Sequence, residues 1–321
     1  MQPLAALLCS LALLGQAPKP VTTLHLRKAL PIGGEGGWDY VTLDPQAQRI
    51  YLPRSTRVMV LDLEGKPLGE IPNTAGVHGV ALARELDRGY TSNGRAGTVT
   101  IFKLSTLEVV REVKTTGENP DAILFDPFTK RVFSFNGRGR NVTAFDAASG
   151  AVVGTLPVGG KPEFAATDAQ GHLFVNVEDT HEVLRLDAAK LTVDRRWSLA
   201  PLEEPTGLAL DVAHQRLFIV GGNKRMAVVN ATTGKVVAML PIGEGADGAA
   251  FDPAKGLVFS SNGEGSLTVI HQDGPDAYSV VGTVPTRPGA RTLALDERTH
   301  TLYLPTATFG PTPAATAETP H

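Results

Sequence analysis

The strongest constraint on this chain is a segment of about 42 residues that recurs seven times. The stretch PDAILFDPFTKRVFSFNG, from Pro120 to Gly137, has a near copy in ADGAAFDPAKGLVFSSNG, from Ala246 to Gly263. The same form is legible in WDYVTLDPQAQRIYLP, VHGVALARELDRGYTSNG, PEFAATDAQGHLFVN, PTGLALDVAHQRLFIVGGN and ARTLALDERTHTLYLPT. The residues closing the first apolar run of each unit are Asp44, Ala83, Asp126, Asp168, Asp211, Asp252 and Asp296. Successive anchors lie 39, 43, 42, 43, 41 and 44 residues apart. Differences of a few residues are what loops between structural repeats absorb.

Within a unit every segment reads as strand. A short run such as AILF is followed by a turn of the DPFTKR type and an alternating run such as VFSF. Asn-Gly pairs at Asn93-Gly94, Asn136-Gly137 and Asn262-Gly263 then predict tight hairpins, because both residues accept positive φ. A third strand (VTAFDA, MAVVNA), a turn (ASG, TTG) and a fourth strand (AVVGTLPV, KVVAMLPI) complete the unit. Four antiparallel strands in a repeat of about 40 residues make a propeller blade, and a ring of blades protects their edges. A pair of β-sandwiches or a β-helix has no such four-strand period. The expected fold is all-β: a seven-bladed β-propeller of four-stranded antiparallel blades.

The ends fit ring closure. LHLRKALPIGG, from Leu24 to Gly34, resembles the fourth strands of other units, so an N-terminal strand is expected to complete the last blade. The last unit supplies two strands and then passes into a Pro/Thr/Ala-rich tail over 309–321, which suggests truncation. Leu4 to Leu14 is an apolar run of secretory length ending near Gly15-Gln16-Ala17, so residues 1–17 read as a signal peptide and 21–308 as the propeller domain. The run is too short to span a bilayer. Its Cys9 is the only cysteine, which leaves the expected mature chain without thiol chemistry. The expected location is periplasmic or secreted.

As a set, GENPDAILFDPFTKRVFSFNG, GGKPEFAATD, EEPTGLALDVAHQRLF, GADGAAFDPAKGLVFSSNG and GARTLALDERTHTLYLPTATFGP resemble the YncE-like, or YVTN-repeat, seven-bladed propellers over nearly the whole mature chain. That resemblance implies an exported propeller whose activity is largely undefined. Single-stranded DNA binding belongs to one branch, and lactonase-like names are attached to others. The chain departs from the family at Leu202 and Gly222, where relatives often carry cysteines, so a cross-link found in them is absent. It also stops where they continue into a further strand.

In a propeller the innermost strands line a central channel. One repeat position therefore forms a ring at one mouth: Asp39, His78, Asp121, Glu163, Thr206, Asp247 and Arg291. Three readings stay open. Each carboxylate caps the turn amides at its own strand's start; or Asp39, Asp121, Glu163 and Asp247 hold a divalent cation, calcium suiting the carboxylates and His78 a transition metal; or the ring holds a small polar or cationic ligand. Four clustered carboxylates do not all stay ionised without a cation or raised pKa values. The turns around this mouth carry Arg54, Arg57, Arg95, Arg138, Arg140, Lys224 and Arg225, with Glu178, Asp179 and His181 in the fourth blade.

The net charge of −3 directs nothing toward nucleic acid or anionic membrane as a whole. No P-loop, GxGxxG, GxSxG or His/Cys metal spacing is present, and two tryptophans, Trp38 and Trp197, are too few for the Trp-rich quinone-dependent propellers. The first expectation is a monomeric binding or scaffold protein that takes a small molecule or a protein partner at the channel face. A metal-dependent hydrolase of the lactonase type comes second, with a ring carboxylate as base. Single-stranded DNA comes third, because the rim turns hold no aromatic on which a base stacks.

Overall fold

Six of the seven repeats are locked at their first turn from inside, the second having Ala83 in place of the aspartate. Asp126, wholly buried, accepts the Thr129 amide (2.9 Å) and the hydroxyls of Thr129 (2.6 Å) and Thr167 (2.7 Å). Asp44, Asp168, Asp211, Asp252 and Asp296 likewise accept amides of their own turns. The last residue of this turn is left-handed in six repeats: Gln48, Asp87, Lys130, Gln215, Gly256 and His300, with φ between 51° and 61°. Such a turn returns the chain antiparallel with a fixed register.

The computed structural model describes residues 24–308. The expected leader (1–17) and tail (309–321) lie outside the described residues. Six four-stranded antiparallel sheets and one two-stranded sheet follow in chain order. Their inner strands are Thr42–Asp44, Val77–Ala83, Pro120–Asp126, Pro162–Thr167, Pro205–Asp211, Ala246–Asp252 and Ala294–Asp296. The sheets form a β-propeller, as the repeat predicts. Among the described residues the only helical pieces are two short 3₁₀ turns, Arg84–Leu86 and Glu178–Thr180, and no helix is long and apolar enough to cross a membrane.

Six apolar clusters occupy the six junctions from blade 1 to blade 7. The sparse aromatics are spent there: Tyr51, Tyr90, Phe102, Phe133, Phe135, Phe145, Phe174 and Phe218 are essentially inaccessible, each stabilising by about 1.5–3 kcal/mol. Side chains of the second strands tie neighbouring blades as well. Arg131 reaches the carbonyls of Ala188 and Ala189 (both 2.8 Å), Arg216 that of Pro275 (2.7 Å), and the Tyr90 hydroxyl that of Ala147 (2.5 Å).

The seam between blades 7 and 1 is different. Among the described residues it has no apolar cluster. It closes through the Thr292 hydroxyl on the Asp39 carbonyl (2.9 Å) and Arg298 on the Pro45 carbonyl. The segment expected to complete blade 7, Leu24–Gly34, lies at this seam but forms no strand. Leu24, like Leu302 and Leu304, packs against the cluster of Leu257, Phe259, Leu267 and Val269, and Lys28 pairs with Glu64 at 2.7 Å. Arg54 then gathers the carbonyls of Gly33 (3.0 Å), Gly34 (2.6 Å), Glu35 (2.9 Å) and Gly36 (2.9 Å). Side chains hold this segment in place of a backbone ladder.

The Asn-Gly pairs mark hairpins, but not by the expected mechanism. Asn93, Asn136 and Asn262 are the last residues of their second strands, paired with Thr98, Asn141 and Ser266. The left-handed residues are Gly97, Arg140 and Gly265, at the far end of each loop. Each Asn is buried, and its amide binds the third strand, as Asn93 does with Thr98 (3.0 Å) and Thr100 (2.8 Å). Gly94 is needed for space: a Cβ there would come 2.5 Å from His78 Nε2.

Candidate functional site at the channel mouth

In blades 2 to 6 the ring residue is the second residue of the inner strand: His78, Asp121, Glu163, Thr206 and Asp247. Asp39 and Arg291 hold the corresponding places just before the inner strands of blades 1 and 7. The hairpins between second and third strands lie on the same face, since Gly94, Gly137 and Gly263 donate their amides to Gly76, Asn119 and Gly245 in the loops leading to the ring.

Six of the seven side chains meet. His78 Nδ1 is 2.7 Å from Asp39 Oδ2 and 3.6 Å from Asp121 Oδ1. Arg291 Nε is 2.7 Å from Asp247 Oδ2, and its terminal nitrogen is 3.6 Å from Asp39 Oδ1. Glu163 joins through Tyr40, whose hydroxyl donates to its Oε2 at 3.1 Å. Thr206 turns away and donates to the Ala246 carbonyl at 3.0 Å, tying two inner strands.

Two members were not expected. Tyr40 reaches from blade 1 to Glu163 on blade 4 and packs edge-on against Phe164, with centroids 5.3 Å apart. The corresponding residues in the other blades are Gly79, Ala122, Phe164, Gly207, Gly248 and Thr292, so Tyr40 is the one bulky polar side chain at that level. Lys161 lies 2.7 Å from Glu163 Oε1 and also pairs with Glu178. Two residues ahead of the ring the other blades carry Gly37, Gly76, Asn119, Glu204, Gly245 and Gly289, so a lysine there was a readable exception.

Among the described residues no backbone amide donates to the carboxylates of Asp39, Asp121, Glu163 or Asp247. The turn-capping reading is therefore not realised at this mouth. The carboxylates instead face one another in a half-dry place. Burial, with Asp121 next, pushes Glu163 up to about 8 even though Lys161 pulls it down. Burial and then Asp39 raise Asp247 to about 6 against Arg291. Burial raises Asp121 as well, His78 opposing and Asp39 reinforcing. Burial works against charge on His78, but Asp39 and Asp121 outweigh it and its pKa is raised. Burial and the surrounding carboxylates hold the Tyr40 phenol protonated.

The expected four-carboxylate cation set is not gathered at one point. Asp247 is engaged by Arg291, and Glu163 by Lys161 and Tyr40. Among the described residues the group with metal-ligand spacing is Asp39, His78 and Asp121, whose donor atoms lie within 4.8 Å of one another. One nitrogen and two carboxylates suit a transition metal better than calcium, which takes about 6–8 oxygens.

The rim is mixed. Arg95, Arg138 and Arg225 are exposed, whereas Arg140 pairs with Asp179 (3.0 Å), Lys224 with Glu244 (2.7 Å) and Arg57 with Glu70 (3.4 Å). Arg54, expected on the rim, is only 9% exposed and serves as the clamp on 33–36. Below the ring, a cavity of about 120 Å³ is lined by residues of all seven blades, among them Val41, Val80, Ala122, Ile123, Phe164 and Leu293.

No protein-family model matches this chain, and no curated protein matches it. Among solved structures it is similar to Kuenenia stuttgartiensis hydrazine synthase (TM-score 0.73, 14% identity, 88% of this chain and 99% of that one). It is also similar to the WD40 repeats of RRP9 (0.76, 12%, 85% and 88%) and to U3-55K (0.75, 12%, 85% and 89%). At these identities the likeness concerns architecture alone: the chain is a β-propeller.

Proposed function

We propose that the protein is a binding propeller that takes a positively charged ligand at the channel mouth. The observation that carries this is the convergence of Asp39, Asp121, Glu163 and Asp247 with no backbone amide donating to any of them. With Glu178, five carboxylates there face two permanent cations, Lys161 and Arg291. A cation entering the ring relieves that repulsion, and an anion worsens it. The repeat motifs support placing the protein among the YncE-like propellers, and the N-terminal apolar run supports export to the periplasm or beyond the cell.

A second reading, a metal-assisted hydrolase of the lactonase type, draws on the Asp39–His78–Asp121 triangle. Single-stranded DNA on the rim is disfavoured, since the only exposed Phe or Trp among the described residues is Phe128, in a first turn on the opposite face. Thermal melting of the purified protein with Ca²⁺, Mn²⁺, Zn²⁺ and small ammonium ions tests the proposal. Binding at 100 times Kd should stabilise by about 2.7 kcal/mol, and Asp121→Asn should abolish the shift. No shift with any cation would overturn the proposal; a shift with metals alone, lost in Asp121→Asn, would favour the hydrolase.

A further inference from the structure

Blade 7 is the one blade whose second strand has no outer neighbour among the described residues. Thr301–Tyr303 pairs only with the inner strand Ala294–Asp296. The pair Asp296 with Thr301 repeats Asp44 with Arg49 of blade 1, so Thr301 to Thr306 is the counterpart of a full second strand. Thr306 reaches the mouth side, where its hydroxyl donates to the Pro288 carbonyl at 2.8 Å. In the other six blades every residue of this strand after the first is buried. From Thr301 to Thr306 none is. A groove of about 430 Å³ opens at this edge, lined by Thr299 and Tyr303 of blade 7 and by Arg27, Leu63 and Leu68.

Three prolines decide which register an added strand can take. In the complete blades, loops of two to four residues join the second and third strands. Every other residue of an antiparallel pair exchanges N–H and C=O bonds with its partner, and a proline fits only between such positions. Pro305 therefore stands at a non-hydrogen-bonded pair, its counterpart in blade 1 being Pro53, opposite Val58. Leu302, Leu304 and Thr306 then carry the bonds. With a two-residue loop, Leu304 would face Pro311 and Leu302 would face Pro313. With four residues, Thr306 would face Pro311 and Leu304 would face Pro313. With three, as in blades 5 and 6, the partners are Gly310, Thr312 and Ala314, and Pro305 stands opposite Pro311. All three prolines are then harmless.

We propose that residues 310–315 form the third strand of blade 7, antiparallel to Thr301–Thr306 with Thr312 opposite Leu304. Length and position name the occupant: 309–321 continues directly from the described chain and is long enough for a six-residue strand. A short tether holds such a strand at an effective concentration of about millimolar, ahead of a free one. The outer edge of the added strand carries Pro311 and Pro313, which have no N–H to offer. Leu24–Gly34 accordingly lies at the seam without a ladder and is held by Arg54 and Lys28. The same prolines blunt the edge against pairing with other chains.

Residue-resolved hydrogen exchange of the full chain tests this. The amides of Leu302, Leu304 and Thr306 should be protected about tenfold or more beyond an open edge, at any protein concentration. Thr312→Pro removes the N–H that faces Leu304 and should reduce this protection about tenfold. Ala315→Pro, whose lost N–H faces outward, should leave it unchanged. Unprotected amides at 302, 304 and 306 in the full chain would overturn the proposal, and so would equal responses to the two prolines. Protection that grows with protein concentration would assign the edge to a second copy and overturn it as well.

Discussion

The inner strands carry carboxylates at both ends, and the two ends treat them in opposite ways. At the first-turn end, Asp44, Asp126, Asp168, Asp211, Asp252 and Asp296 are 0–7% exposed, and each accepts an amide of the turn it begins. Basic or hydroxyl side chains finish the set: Arg84 on Asp44 (2.9 Å), His300 on Asp252 (2.7 Å), Thr167 on Asp126 (2.7 Å). At the mouth end, nearby amides are already used within the loops. Val77 donates to Thr74 and Ser55, and Arg291 to Gly289. Side chains arriving there find only one another. A turn after a strand provides free N–H groups, whereas the loop before it has used its own. The same residue type is a structural lock in one place and a source of stored repulsion in the other.

The sharpest way to break this contrast is to remove one charge at each end of one strand. Asp126→Asn leaves one oxygen where two accept from the Thr129 amide, the Thr129 hydroxyl and the Thr167 hydroxyl, and places an NH2 donor in a fully buried turn; it should cost about 3 kcal/mol. Asp121→Asn, five positions earlier on the same strand, removes a carboxylate that burial and Asp39 already disfavour. It should change stability by no more than about 1 kcal/mol, in the stabilising direction. Urea unfolding of the two variants is the measurement. Equal losses would mean that Asp121 is as structural as Asp126.

The two ends should also respond to pH with opposite sign. Glu163 is raised to about 8 in the folded protein, against about 4.3 for a free glutamate. Between those values the folded state holds a proton that the unfolded chain has lost, so stability falls as pH rises through the window. Asp247, raised to about 6, and His78, also raised, act in the same direction. The slope is at most about 1.4 kcal/mol per pH unit per group. Because Glu163 faces Tyr40, Asp121, Lys161 and Glu178, which share the titration, about 2 kcal/mol over the window is expected. Glu163→Gln should flatten that limb. For Asp211 and Asp296, burial is outweighed by Gln272 and His214 on the first and by Thr299 and Arg298 on the second, and both pKa values are lowered. Their contribution is present above about pH 4 and is lost as pH falls through the folded values. Asp296→Asn should flatten only this acid limb. A protein equally stable from pH 5 to 8 would remove the distinction.

The repeat made the blade order and the ring position legible, because a propeller maps one repeat position to one height on the axis. Thr206 shows the limit of that mapping: a ring position fixes the Cα, while the rotamer followed a local acceptor, the Ala246 carbonyl. Tyr40 and Lys161 stood one residue after and two residues before the ring. Comparing repeats for exceptions, and not only for likeness, would have found both. The Asn-Gly pairs were placed correctly as hairpins, yet the short-range propensity for positive φ lost to a tertiary demand, the buried amide network with Thr98 and Thr100. The seam at blade 7 was readable as a departure. That Leu24–Gly34 would be held by Arg54 and not by a ladder was not, since the donors lie in blade 1.

The mouth end keeps its geometry by a route the first-turn end does not need. Several ring residues are held through their backbone carbonyls by side chains of the preceding blade. Thr292 donates to Asp39 (2.9 Å), Asn176 to Thr206 (2.6 Å), and Ser92 and Ser261 to Asp121 and Arg291. Fixing the backbone leaves each carboxylate free to meet a ligand, whereas capping the carboxylate itself, as at Asp126, would spend it. Ser92 also accepts the Gly79 amide at 3.0 Å, so Ser92→Ala should cost about 1 kcal/mol. The same variant should weaken cation binding several-fold by letting Asp121 drift. A cost in stability with cation affinity unchanged would show that the strand positions Asp121 without help from its neighbour, and the two ends would then differ only in their donors.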